Sequence, residues 1–178
     1  MKTLFLIRHA KSSWKNALLV DQDRPLNKQG ERDAPQMGQR LANRQARPDL
    51  VISSPALRAY ETAVKIADEI GYAEDGIQTS KKLYLQGKSG IMAVLSGINP
   101  EINCLMLFSH NPGITLATNY LANADIDHMP TCGVAEIRFD VEFWADVEGG
   151  TGKLIFFDYP KRLENQEGVK HRTLNFEL

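Results

Sequence analysis

Cationic and nucleophilic side chains follow two short apolar segments that are typical of buried β-strands. Arg8 and His9 come directly after the apolar residues 4–7, and His110 comes directly after the segment 102–109. In open α/β sheets, ligand sites collect at the carboxyl ends of the strands. We therefore expect these three side chains to lie together at one edge of a sheet, where they can bind an anion such as phosphate.

A third strand end adds a second guanidinium group. Residues 50–53 form another predicted strand, and Arg58 lies in the first turns of the helix that follows. Arginine offers phosphate a planar, permanently charged fork, and the start of a helix also favours anions. A neutral imidazole can attack phosphorus and carry the phosphoryl group covalently. We take His9 as the nucleophile, with a backbone carbonyl fixing its tautomer, and His110 as a donor to a phosphoryl oxygen.

Strands alternate with helical patterns along most of the chain. The spacing predicts strands over 3–7, 50–53, 77–79 and 102–109, and helices over 28–45, 55–70, 90–95 and from 112 onward. Pro35 is expected to kink or divide the first helix. Ser54 is the expected N-cap of the helix that carries Arg58, with Pro55 as its first residue.

The periodicity changes in the last part of the chain. Alternating residues over 134–143 predict a strand with one solvated face, and glycines at 149–152 predict a turn into a buried partner strand over 153–159. The element order favours an α/β fold with a mostly parallel sheet and an antiparallel C-terminal hairpin. We expect a single domain over 1–178, with 160–178 as a surface extension.

Composition excludes several classes of function. The 178 residues carry a formal net charge of −1, which gives no basic excess for nucleic acid. The N-terminal apolar run is too short for a signal peptide, and no apolar stretch is long enough to span a membrane. We therefore expect a cytoplasmic protein. The two cysteines have no metal-site spacing, and His128 and His171 lie in polar segments where we expect surface residues.

Three motifs resemble the histidine phosphatase (phosphoglycerate mutase-like) superfamily. They are LIRHA at Leu6–Ala10, SSPALRAYETA at Ser53–Ala63 and SHNPG at Ser109–Gly113. The short chain, with KSSW at 11–14 and DRPLN at 23–27, is similar to the small bacterial phosphohistidine phosphatase branch. The resemblance covers residues 2–158.

This resemblance implies that His9 is the phosphorylated nucleophile and that Arg8, Arg58 and His110 complete the phosphate pocket. It implies a three-layer α/β/α sandwich and no metal or organic cofactor. We add four candidate substrate-binding residues, which are Ser13, Arg24, Tyr84 and Asn111.

The chain departs from the superfamily pattern at two places. Ala10 stands where glycine is usual, so we expect a modest narrowing of the site. Residues 80–87 contain no carboxylate, although many members place a general acid in that region. Asp21 or Asp23 can substitute from the loop after the first strand, and Tyr84, within this stretch, can donate a hydrogen bond. Without an acid, an alkoxide leaves poorly, whereas the imidazole of a phosphoramidate is easily protonated.

The sequence therefore predicts a metal-independent phosphohydrolase with a phosphohistidine intermediate. The expected substrate is phosphohistidine on a partner protein, because the short chain has few insertions that could close over the site. One alternative is a phosphomonoesterase for a small phosphate ester, such as a sugar or nucleotide phosphate. An alternative of another class is a non-catalytic phosphate-binding regulatory module.

Overall fold

Six strands form one mixed sheet, and helices cover both of its faces. The computed structural model describes residues 1–165. The strands are β1 (Lys2–Arg8), β2 (Leu50–Ser53), β3 (Gln78–Thr79), β4 (Cys104–Ser109), β5 (Val134–Phe139) and β6 (Gly152–Asp158). The helices are α1 (Lys28–Asn43), α2 (Leu57–Ile70), α3 (Lys82–Leu85), α4 (Gly87–Leu95) and α5 (Gly113–Ala122).

The spatial order of the strands is β3-β2-β4-β1-β5-β6. The first four are parallel, β5 pairs antiparallel with β1, and β6 pairs antiparallel with β5. This arrangement confirms the predicted α/β fold with a mostly parallel sheet and an antiparallel C-terminal hairpin.

Alternate residues of the central strands enter two separate cores. In β1, Leu4 and Leu6 join the core beneath α4 and α5, whereas Phe5 and Ile7 join the core beneath α1 and α2. The near-continuous apolar sequence of β1 is therefore explained by burial on both faces. Each such side chain contributes about 1.5–3 kcal/mol when it is fully buried.

The sheet register places the two catalytic candidates side by side. Arg8 of β1 pairs with Ser109 of β4, and the backbone N–H of His9 donates to the carbonyl of Ser109 at 3.1 Å. His9 and His110 thus leave neighbouring parallel strands at the same level. The expectation that both strand ends meet at one edge is confirmed.

Two details of the helices differ from the sequence prediction. Helix α1 runs through Pro35 without being divided. Helix α2 begins at Leu57 with Ala56 as its N-cap, so the prediction of Ser54 as the cap was wrong. The Ser54 hydroxyl instead accepts from the N–H of Ala56 at 3.3 Å, which makes the residues before α2 a tight turn rather than a helix.

The two C-terminal strands also differ from expectation. In β5 only Arg138 is exposed, because this strand lies inside the sheet between β1 and β6. The predicted solvated face is therefore wrong. Strand β6 is the edge of the sheet, so it is half-exposed rather than buried.

The chain after β6 starts with a packed segment. Residues Pro160–Asn165 form a 3-10 helix, and Arg40 of α1 donates to the carbonyls of Tyr159 and Pro160. The remainder of the predicted surface extension, 166–178, lies outside the described residues. Within the described part, none of the helices has the length and apolar character needed to cross a membrane.

The start of α5 requires a glycine. A Cβ at Gly113 would lie 2.5 Å from Cα of Gly87, against backbone that cannot rotate away. We expect Gly113→Ala to lower the free energy of unfolding by about 1–3 kcal/mol, measured by urea denaturation. Gly97→Ala is the matched control, because the nearest atom described there is the Val94 carbonyl oxygen at 3.6 Å. Equal stability of both variants would contradict this packing.

Candidate functional site

His9 is a buried, neutral imidazole with one nitrogen available. Its Nδ1 lies 2.7 Å from the carbonyl oxygen of Ala10 and donates to it in the neutral ring. Burial lowers the pKa of His9 to about 3, and the positive charges of Arg58 and Arg8 add to this effect. Within residues 1–165, Nε2 forms no hydrogen bond. This nitrogen therefore keeps a lone pair at neutral pH.

Thr62 of α2 holds the backbone that orients His9. Its hydroxyl accepts from the N–H of Ala10 at 2.9 Å and donates to the carbonyl of Arg58 at 2.6 Å. Ala10 is fully buried, and its φ lies outside the left-handed region that would demand glycine. The alanine therefore fits this position without backbone strain.

His110 lies beside His9 at the end of β4. The two ring centroids are 5.0 Å apart. Nε2 of His110 lies 2.8 Å from the Ser54 hydroxyl, and Nδ1 lies 3.4 Å from Nη2 of Arg58. Burial, followed by the charge of Arg58, lowers the pKa of His110 to about 4. Ser54, expected as a helix cap, thus orients a site residue.

Asp21 joins three side chains across the site. Its carboxylate accepts from Arg58 Nη2, from Arg24 Nη1 and from the Tyr84 hydroxyl, each at 2.9 Å. Arg58 Nη1 also donates to the Asp21 carbonyl at 2.6 Å. Partial burial would raise the pKa of Asp21, but the hydrogen bonds from Arg58 and Tyr84 outweigh burial and hold it below its usual range. Asp21 is therefore ionised at neutral pH.

Arg8 is held by the chain segment that contains His128 and Met129. Its Nη1 donates to the Met129 carbonyl at 2.8 Å and lies 3.0 Å from Nε2 of His128. Its Nε is buried without a hydrogen-bond partner among the described residues. Because an unpaired buried donor is costly, this atom is suited to an oxygen of a bound anion.

Some of these side chains line an open cleft of about 380 Å³, and His110 lies beside that lining rather than in it. The lining consists of Arg8, His9, Lys11, Ser12, Trp14, Asp21, Arg24, Arg58 and Thr131. Four of the lining side chains are cations, and Asp21 is the only carboxylate among those that the structure describes there. The cleft can therefore hold an anion against the free nitrogen of His9. Within residues 1–165, no cluster of three His, Cys, Asp or Glu side chains is arranged to hold a metal ion.

The remaining candidate residues divide into two groups. Arg24 lines the cleft, and Tyr84 stacks edge-on against His110 with centroids 5.6 Å apart. Ser13 faces a separate surface cleft, where its carbonyl accepts from Arg24 Nε. The Asn111 amide donates to the Met129 carbonyl at 2.9 Å, so Asn111 supports the loop that holds Arg8 rather than the cleft itself.

Sequence reasoning assigned no role to several residues at the site, among them His128, Thr62 and Trp14. His128, expected on the surface, is exposed but lies against Arg8. Thr62 and Trp14 stand inside or beside the motifs, yet neither was assigned a role. Only Thr62 had a usable signal, because it follows Arg58 by four residues and so lies on the same helix face.

Comparison with known proteins agrees with this geometry. A sequence model of the histidine phosphatase superfamily (branch 1) matches residues 4–83. An uncharacterized chloroplastic protein of Arabidopsis thaliana is 31% identical over 153 residues, which cover 82% of this chain and 70% of that protein.

Solved structures share the whole fold. A crystal structure assigned to the phosphohistidine phosphatase SixA of Agrobacterium tumefaciens has a TM-score of 0.75 and 25% identity, covering 89% of this chain and 98% of that one. A mycobacterial glucosyl-3-phosphoglycerate phosphatase complexed with VO3 has a TM-score of 0.66 and 15% identity. The match covers 89% of this chain and 100% of that one. The chain belongs to the histidine phosphatase superfamily, as its three motifs predict, and is a phosphatase of that superfamily.

Proposed function

We propose that this protein hydrolyses phosphohistidine on a partner protein, with His9 as the nucleophile. One observation carries the choice of substrate class. Asp21 is the only carboxylate among the described residues that line the cleft, and its three hydrogen bonds keep it ionised. An ionised carboxylate cannot protonate a leaving alkoxide, so the site favours a leaving group that needs no acid.

The first step transfers the phosphoryl group to His9. The lone pair of Nε2 forms a bond to phosphorus while the substrate P–N bond breaks and returns its electrons to the leaving nitrogen. A proton on the far nitrogen of the substrate ring lets that ring leave as neutral imidazole. Arg8 and Arg58 line the cleft and hold the phosphoryl oxygens, whose charge is stabilised by such fixed donors. The expected donation from His110 stays a prediction, because its two nitrogens lie against Ser54 and Arg58.

The second step returns the enzyme to its starting state. Water attacks phosphorus, the bond to Nε2 breaks, and its electrons restore the lone pair of neutral His9. The two protons of the attacking water remain with inorganic phosphate or pass to solvent. Nδ1 donates to Ala10 throughout, so the ring keeps one orientation and one tautomer in both steps.

The open shape of the site supports a protein substrate over a small ester. The cleft lies on the surface, and the loop beside it, residues 11–26, includes exposed positions along most of its length. The structure assigned to SixA, at 25% identity, supports the same choice. The cytoplasmic location expected from the sequence stays a prediction.

Tyr84 is a weak candidate for the missing acid. Burial raises the pKa of its hydroxyl, and the neighbouring Asp21 carboxylate raises it further. The hydroxyl also donates to Asp21. Tyr84 therefore serves better as a support for Asp21 and Arg58 than as a proton source.

A substrate panel tests the proposed function. We expect kcat/KM to be highest for a phosphohistidine protein, compared with a sugar phosphate and a nucleoside monophosphate. His9→Ala should lower it by more than about 10³-fold, because the covalent route is lost, while the melting temperature shows that the variant is folded. Faster turnover of the sugar phosphate would favour the phosphomonoesterase, and phosphate binding without any turnover would favour the regulatory module.

Asp21→Asn separates a positioning role from acid catalysis. We expect kcat/KM to fall by about tenfold for phosphohistidine and phosphate ester alike, because Arg58 loses one charge-assisted hydrogen bond. If Asp21 were the general acid, kcat/KM would instead fall by about 10²–10⁴-fold for the phosphate ester and stay unchanged for phosphohistidine. Asp75→Asn, at an exposed turn away from the site, is the control. A selective loss of ester hydrolysis would contradict the positioning role.

A further inference from the structure

Trp14 is a large apolar side chain that the structure leaves in solvent beside the nucleophile. It is 79% exposed, and it lines the same cleft as His9 and Arg58. Leu18, on the same loop, is 94% exposed but does not belong to that lining. The position of Trp14 at the cleft, rather than its exposure alone, therefore calls for an explanation.

One face of the Trp14 ring is occupied by Arg24. The Cζ atom of Arg24 lies 3.2 Å from the ring centroid. Because one face is covered and the side chain is still mostly exposed, the opposite face is the one that remains accessible. Arg24 thus sets the plane of the indole and leaves a flat apolar surface at the cleft.

Trp14 is not needed to hold Arg24 in place. The guanidinium of Arg24 donates to the Ser13 carbonyl at 3.1 Å, to the Ser12 hydroxyl at 2.6 Å and to the Asp21 carboxylate at 2.9 Å. These three contacts already fix the position of the buried guanidinium. A purely supporting role for the indole therefore leaves its exposed face unexplained.

We propose that the exposed face of Trp14 binds the imidazole ring of the substrate phosphohistidine by stacking. This inference rests on the proposed function and identifies a residue that selects the leaving group. Planar aromatic rings stack favourably on indole, and a protonated ring gains a cation–π attraction as well. Asp21 balances the charge of Arg24 behind the indole. A saturated sugar or an amine has no flat ring to place there.

The contact acts mainly on substrate binding. The substrate ring is cationic while it still carries the phosphoryl group, and it becomes neutral as the P–N bond breaks. The cation–π part of the attraction is therefore strongest before the chemical step, and its loss should raise KM more than it lowers kcat.

Two small P–N substrates isolate this contact. N-phosphorylated imidazole has an aromatic leaving group, whereas phosphoramidate releases ammonia. We expect Trp14→Ala to raise KM for N-phosphorylated imidazole roughly tenfold, with little change for phosphoramidate. Trp14→Phe should retain part of the binding, because it keeps an aromatic face. Leu18→Ala is the matched control for an exposed apolar residue on the same loop and should leave both substrates unchanged.

The possible failures are distinguishable. If the wild-type protein hydrolyses both P–N substrates and Trp14→Ala leaves both KM values unchanged, or changes both by the same factor, the stacking proposal is overturned. If the wild-type protein hydrolyses neither P–N substrate but does hydrolyse a phosphate ester, the proposed function fails, and the stacking proposal fails with it.

Discussion

The hydrogen bond from His9 Nδ1 to the carbonyl of Ala10 is the interaction on which the site depends. It fixes the orientation of a ring that lines the cleft, and it assigns the proton to Nδ1, so that Nε2 keeps its lone pair. The buried Thr62 hydroxyl secures Ala10 from the other side and links it to the first turn of α2. Burial then keeps the ring neutral among positive charges, so His9, as the proposed nucleophile, needs no general base to activate it.

The surrounding charges are organised from two directions. The parallel strands β1 and β4 bring Arg8, His9 and His110 to one edge, and α2 adds Arg58. The loop after β1 places Asp21 next to these groups. The Asp21 carboxylate forms ion pairs with both Arg58 and Arg24 and so reduces the repulsion between the two guanidinium groups. The same carboxylate that holds the groups proposed to bind phosphate is ionised and therefore unable to act as an acid, which links the architecture of the cleft to the proposed leaving group.

Sequence reasoning predicted the parts of this site that depend on strand ends. The continuous apolar sequence of β1 and β4 indicates burial on both faces, and neighbouring parallel strands must end at the same edge. The role of Asp21 and the contact between His128 and Arg8 could not be predicted, because they depend on the path of irregular loops. The prediction of Ser54 as a helix cap was wrong for a related reason. Its hydroxyl suits both a helix cap and a turn, and its contact with His110 depends on the fold.

Nitrogen-15 NMR of the histidine-labelled protein, titrated from pH 7 to pH 5, tests the central claim most directly. A histidine of the unfolded chain takes up a proton near pH 6.5, whereas burial holds the pKa of His9 at about 3. The His9 signals, assigned by their absence in His9→Gln, should therefore show a neutral ring with its proton on Nδ1 throughout. Since the unfolded state binds more protons over this range, stability should also fall as the pH is lowered. A protonation midpoint near 6.5, or a proton on Nε2, would contradict the account.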